Sequence, residues 1–184
     1  MDECEPRSTR KQQAGKGESA LAGASAQQFA ATRPFTEGFA IVADVIDGTT
    51  KWGFVDKSGS TVIKPQFYKV KDFREGLAPF QRTYLWGFVD RTGKEVVAPK
   101  LYGASTFSNG LAAVQVDRYW GYMDKTGRVR IGARFAKAGD FSREGVAAVK
   151  LPLHQVGVGS AHGDEGDYLY INTNGQAIWQ RKMK

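Results

Sequence analysis

The residue types that do acid–base or metal chemistry gather in one stretch. His154, His162, Asp164, Glu165 and Asp167 fall close together and include both histidines of the chain. Two imidazoles and three carboxylates could hold a metal ion or activate a water. That chemistry requires a rigid frame. This stretch is instead interrupted by Gly157, Gly159, Ser160, Gly163 and Gly166, so it reads as a polar loop with scattered titratable groups. A second pattern, Asp-x-Ser/Thr-Gly at Asp56, Asp90 and Asp124, has the look of a calcium motif. Each copy offers one carboxylate, however, where calcium takes about six to eight oxygens, and a turn-stabilising role is the better reading. Cys4 is the single cysteine, which excludes an internal disulfide and a cysteine-ligated zinc site. No phosphate loop, nucleophile elbow or zinc-protease motif occurs. The expectation is a chain with no catalytic residue, no metal and no cofactor.

The elements that would position such residues announce themselves by repetition. Trp52-Gly53-Phe54-Val55-Asp56, Trp86-Gly87-Phe88-Val89-Asp90 and Trp120-Gly121-Tyr122-Met123-Asp124 lie 34 positions apart. Each runs on into Lys/Arg-Ser/Thr-Gly. A fixed period of this size marks a tandem-repeat architecture. A second anchor keeps the same beat: Phe35-Thr36-Glu37-Gly38, Phe73-Arg74-Glu75-Gly76, Phe107-Ser108-Asn109-Gly110 and Phe141-Ser142-Arg143-Glu144-Gly145. The units are 35–72, 73–106, 107–140 and a degenerate 141–184, where Tyr168 takes the Trp slot and residues 152–167 form an insertion. The first unit is four residues longer than the next, around Asp47-Gly48-Thr49-Thr50. Residues 1–34, rich in Ala, Gly, Ser and Gln, do not repeat and read as a disordered tail.

Within a unit, apolar residues alternate with period two, the signature of strands. About three strands per unit are expected, the third ended by Pro65 or Pro99. Asp56 with Gly59, Asp90 with Gly93, and Asp124 with Gly127 read as hairpin turns: the Asp bonds the following amides and the Gly takes the left-handed conformation. Asn172 with Gly175 fits in the amide version. Gly53, Gly87 and Gly121 allow a close approach by an aromatic or a backbone. Trp52, Trp86 and Trp120 are read as shared core, with Phe73, Phe107 and Phe141 as buried plugs. The fold class is all-β: tandem antiparallel meander or hairpin repeats in an open or partly closed array. A small four-bladed propeller-like ring is the alternative, disfavoured because propeller blades use about 40 or more residues.

The WGFVD-K/R-S/T-G string, the following Val/Ile-Pro step and the Phe-x-Glu-Gly-Leu-Ala corner resemble the bacterial WG-repeat (KWG-repeat) family. The resemblance covers roughly residues 35–150 well and 165–180 loosely. It implies a β-rich interaction module without known enzymatic activity, and it carries over no catalytic residue.

Charge narrows the partners. The formal net charge is +7, of which the tail supplies about one unit. The turn cations Lys57, Arg91 and Lys125 would align on stacking into a basic edge, a candidate contact for an acidic protein, an anionic glycan or nucleic acid. The leading expectation is an unidentified protein partner, with an envelope glycan or peptidoglycan second and nucleic acid third. No apolar run of about 18 residues capable of spanning a membrane is present. Ala20 to Ala26 resembles the end of a signal peptide, but no apolar stretch precedes it. The cytoplasm is therefore the default expectation, with secretion or envelope association as the alternative.

Overall fold

The computed structural model describes residues 29–152 and 168–180. The tail to residue 28 and the stretch 153–167, with His154, His162, Asp164, Glu165 and Asp167, lie outside the described residues. The described residues contain no helix. They form four antiparallel sheets of four strands, each a simple meander in chain order. The first sheet is β1 (Ala31–Thr32), β2 (Phe39–Ile46), β3 (Thr49–Asp56) and β4 (Thr61–Phe67). The second is β5 (Lys69–Val70), β6 (Leu77–Arg82), β7 (Leu85–Asp90) and β8 (Glu95–Leu101). The third is β9 (Gly103–Ala104), β10 (Leu111–Val116), β11 (Tyr119–Asp124) and β12 (Val129–Phe135). The fourth is β13 (Lys137–Ala138), β14 (Val146–Lys150), β15 (Tyr168–Asn172) and β16 (Ala177–Gln180).

Each sheet thus has four strands where the sequence pattern points to three. The additional strand is two residues long, too short to show any alternation. In the first sheet it comes from residues expected to lie in the tail: Ala31 and Thr32 pair with Ala43 and Val42, and Phe29 packs on Ala40, Val42 and Val55.

The prolines do not end the third long strand. Trp52 pairs with Phe67 and Phe54 with Ile63, so the backbone of residues 64–66 bulges against the single residue Gly53. A bulge is one of the few places where a strand tolerates proline. The bulge also explains the invariant partner of each Trp. A Cβ on Gly53 would collide with the Ile63 carbonyl and lie 2.6 Å from the Pro65 nitrogen; on Gly121 it would lie 2.5 Å from the Ile131 carbonyl oxygen. Of the two readings of this glycine, close approach by backbone is the one realised at both positions.

Period two sends alternate residues to opposite faces, and consecutive sheets share the cores between them. Ala78, Phe80 and Val89 of the second sheet pack with Ile41, Phe54, Ile63 and Phe67 of the first. Leu77, Phe88, Val97 and Leu101 on its other face pack with Ala112, Val114 and Met123 of the third. One ring contact recurs at each junction. Phe73 meets Phe54 at 4.7 Å between centroids, Phe107 meets Phe88 at 5.0 Å, and Phe141 meets Tyr122 at 4.7 Å. The array is open. Tyr170 holds the slot of Phe54, Phe88 and Tyr122, all nearly inaccessible, yet is 40% exposed on the far face of the fourth sheet.

Candidate interaction surface

Every sheet has two ends, and they are chemically different. At one end lie the Asp turns and the Phe-x-Glu-Gly corners. The Asp90 carboxylate accepts from the amides of Thr92 and Lys94 at 2.9 and 3.0 Å, and from the Thr92 hydroxyl at 2.6 Å. Asp56 and Asp124 do the same with Ser58, Ser60, Thr126 and Arg128. Asn172 repeats the two amide bonds. The neighbouring hydroxyl, followed by the amides, outweighs the partial desolvation and holds the Asp56, Asp90 and Asp124 carboxyls below their usual range.

The corners are two-residue hairpin turns in which both central residues are left-handed: φ is 51° and 88° at Glu37-Gly38, and 52° and 88° at Glu75-Gly76. Such turns match the twist of the flanking strands but strain a residue bearing a Cβ. The strained Glu reaches the next repeat. Amides of Glu75 and Gly76 donate to Glu37 at 2.7 and 3.1 Å, and Arg91 pairs with it at 2.9 Å. Glu75 in turn accepts from the Gly110 amide at 3.1 Å and pairs with Lys125 at 2.9 Å. Burial pushes the Glu37 carboxyl up, but the Arg91 hydrogen bond, the two amides and the Arg91 charge together bring it below the ordinary value. In the third repeat Asn109 replaces the Glu and donates to the Ser142 carbonyl. The cation slot opposite it, Thr173, is neutral as well. The fourth corner carries one more residue and closes as a wider turn, with Ser142 donating to Val146 and Gly145 to Ser142. Glu144 there bonds Ser142 of its own turn.

At the other end lie the hairpins β2–β3, β6–β7 and β10–β11 and the links between sheets. Tyr84 is 88% exposed and Tyr102 58%. Tyr68 is also exposed, with the Lys51 ammonium 3.3 Å from its ring centre. Val45 and Ile46 extend the β2–β3 hairpin into solvent. The insertion opens at this same end, because Lys150 pairs with Tyr168 where it leaves and rejoins the sheet.

A family model described as "WG containing repeat" matches residues 52–83, 86–119 and 120–151, more than half of the chain. This chain belongs to the WG-repeat family. No curated protein matches it. A solved structure titled "Crystal structure of HIRA(644-1017)" is similar at 6% identity and a TM-score of 0.43, over 77% of this chain and 49% of that one. The chain therefore spans about half the length of that structure.

In the WG array the residues that name the family are placed as follows. Trp52, Trp86 and Trp120 are half-buried and flank the shared cores. Arg33 lies over Trp52 and Lys71 over Trp86. The aromatics two positions later, Phe54, Phe88 and Tyr122, are almost completely buried. Phe73, Phe107 and Phe141 are buried, whereas Phe35 is 45% exposed. Gly59, Gly93 and Gly127 are left-handed. Lys57, Arg91 and Lys125 stand at equivalent positions, but Arg91 and Lys125 are neutralised by the preceding corner's Glu. Sequence reasoning missed Glu37 and Glu75. Their signal was present: Glu recurs before the corner Gly, and Asn109 faces the one repeat whose turn cation is missing. Among the described residues no three His, Cys, Asp or Glu gather as a metal site.

Proposed function

We propose that this WG-repeat chain is a non-enzymatic interaction module that holds a protein partner at its hairpin end. The observation that carries this reading is the exposure of Tyr84, Tyr102 and Tyr68 beside Lys51, on a hairpin turn and on the short links between sheets. Tyrosine brings a large rigid contact area and a polar tip at low entropic cost. Insertions in repeat proteins map to one face, often the binding face. The turn end differs in that its carboxylates and two of its cations satisfy one another.

An envelope glycan is the second reading, favoured by the same exposed rings. The WG tryptophans give it less support, since they are half-buried and two already carry a cation. Nucleic acid is third, because pairing of Arg91 and Lys125 weakens the basic edge. The test is capture by the full chain from native lysate, with and without nuclease and high salt. The combined variant Tyr68→Ser, Tyr84→Ser, Tyr102→Ser runs in parallel. A stoichiometric protein retained by the parent and lost by the folded variant supports the reading. Equal capture by both moves the partner off this surface. Loss with nuclease or salt would promote nucleic acid, and retention only on peptidoglycan would promote the glycan.

A further inference from the structure

The corner struts form a series that begins one repeat early. In the second repeat, a carboxylate is held by the amides of Glu75 and Gly76 and by Arg91. In the third it is held by the Gly110 amide and Lys125. Both carboxylates come from the preceding repeat's corner. The first repeat has the same donor set: the amides of Glu37 and Gly38, and Lys57. Its turn has the same conformation, with φ within 1° of the second at both residues. Lys57 lies alongside, such that a methyl group on Gly38 would meet its Cε at 3.9 Å. Among the described residues, no carboxylate of the chain meets these donors. The plug residue beside them, Phe35, is 45% exposed where its counterparts are buried in a neighbour's aromatic slot.

We propose that the first repeat is a docking site for a glutamate side chain of a partner protein. The Glu37 and Gly38 amides and the Lys57 ammonium take the carboxylate, and Phe35 inserts into an apolar slot beside it. The chemistry is charge-assisted hydrogen bonding to a donor set fixed in advance by the turn. The molecule displays the bound state in its next two repeats. This site lies at the turn end, opposite the hairpin surface, so failure of either proposal leaves the other standing.

The probe is the blocked pentapeptide Phe-Thr-Glu-Gly-Phe, the sequence of residues 35–39, compared with its Gln counterpart. It is titrated into the 15N-labelled full chain while the amide resonances of Glu37 and Gly38 are followed. The expected result is saturable shifts of these two amides with the Glu peptide and none with the Gln peptide. Lys57→Ala should weaken binding about two- to fivefold, the scale of one exposed ion pair. Glu37→Ala uncovers the second socket, so the amides of Glu75 and Gly76 should then respond too, giving a built-in positive control. Silence at Glu37 and Gly38 overturns the proposal, whether or not Glu75 and Gly76 respond in that variant. So do equal shifts with the Gln peptide, or binding indifferent to Lys57→Ala.

Discussion

The two ends of a sheet are made by the same meander from the same repeat, yet in the second and third repeats one is chemically closed and the other open. At the turn end, Asp56, Asp90 and Asp124 bind their own turns, while Glu37 and Glu75 tie each repeat to the next. At the hairpin end, Tyr84 and Tyr102 stand in solvent, and the first hairpin has eight-residue strands where the next two have six. Regularity at one end is what permits variation at the other. Once the turns set register and spacing, a hairpin can lengthen without disturbing the junctions. Function in repeat proteins collects where the sequence departs from its own period, because the period is occupied with stacking.

The comparison breaks first in the core between the ends. Phe88→Ala should cost about 3–5 kcal/mol, since the ring is fully buried against Phe107 and a cavity would remain. Trp86→Ala, at a half-buried site, should cost measurably less in the same urea titration. The reverse order would mean that the family's signature Trp is the true keystone. Next in size is Gly87→Ala. The added methyl would collide with the Val97 carbonyl and lie 2.9 Å from the Phe80 ring. Overpacking of this kind typically costs about 1–3 kcal/mol, read as a lowered urea midpoint.

The turn end should show itself in acid. Asp56, Asp90, Asp124 and Glu37 have carboxyls held below their ordinary values of 3.8 and 4.5 when folded. The unfolded chain therefore binds protons first as pH falls. Their stabilisation is complete above those values and is lost as pH drops through the lower folded ones. Urea midpoints should fall between about pH 5 and pH 2. Asp90→Asn should flatten that slope, while losing about 1 kcal/mol or less at neutral pH. An unchanged slope would show that Asp90 titrates as it does in the unfolded chain.

The smallest expected effect is the most telling. Tyr84→Ser and Tyr102→Ser should shift stability by no more than about 0.5 kcal/mol, as expected for exposed side chains outside any packed feature. A large loss would make the hairpin end structural and remove the contrast between the ends.

Much of this molecule was legible in advance. The 34-residue beat, the short apolar run from Leu77 to Phe80 and the Asp-x-x-Gly turns are local signals, written by backbone chemistry that acts within a few residues. They sufficed for an all-β stack and for the family. The short strands such as Lys69–Val70 were not legible, because two residues carry no period. Nor was the passage of β4 through Pro65, which depends on a bulge against Gly53 of the neighbouring strand. The Phe-x-Glu-Gly corner could be seen to turn, but not to reach. Only stacking brings Glu37 within 2.9 Å of Arg91, 54 positions away. Sequence alone determined the repeat and its turns, since those arise from near neighbours. The tertiary structure decided which cations are already paired, which rings lie deepest and which end faces outward, because those depend on what the next repeat brings alongside.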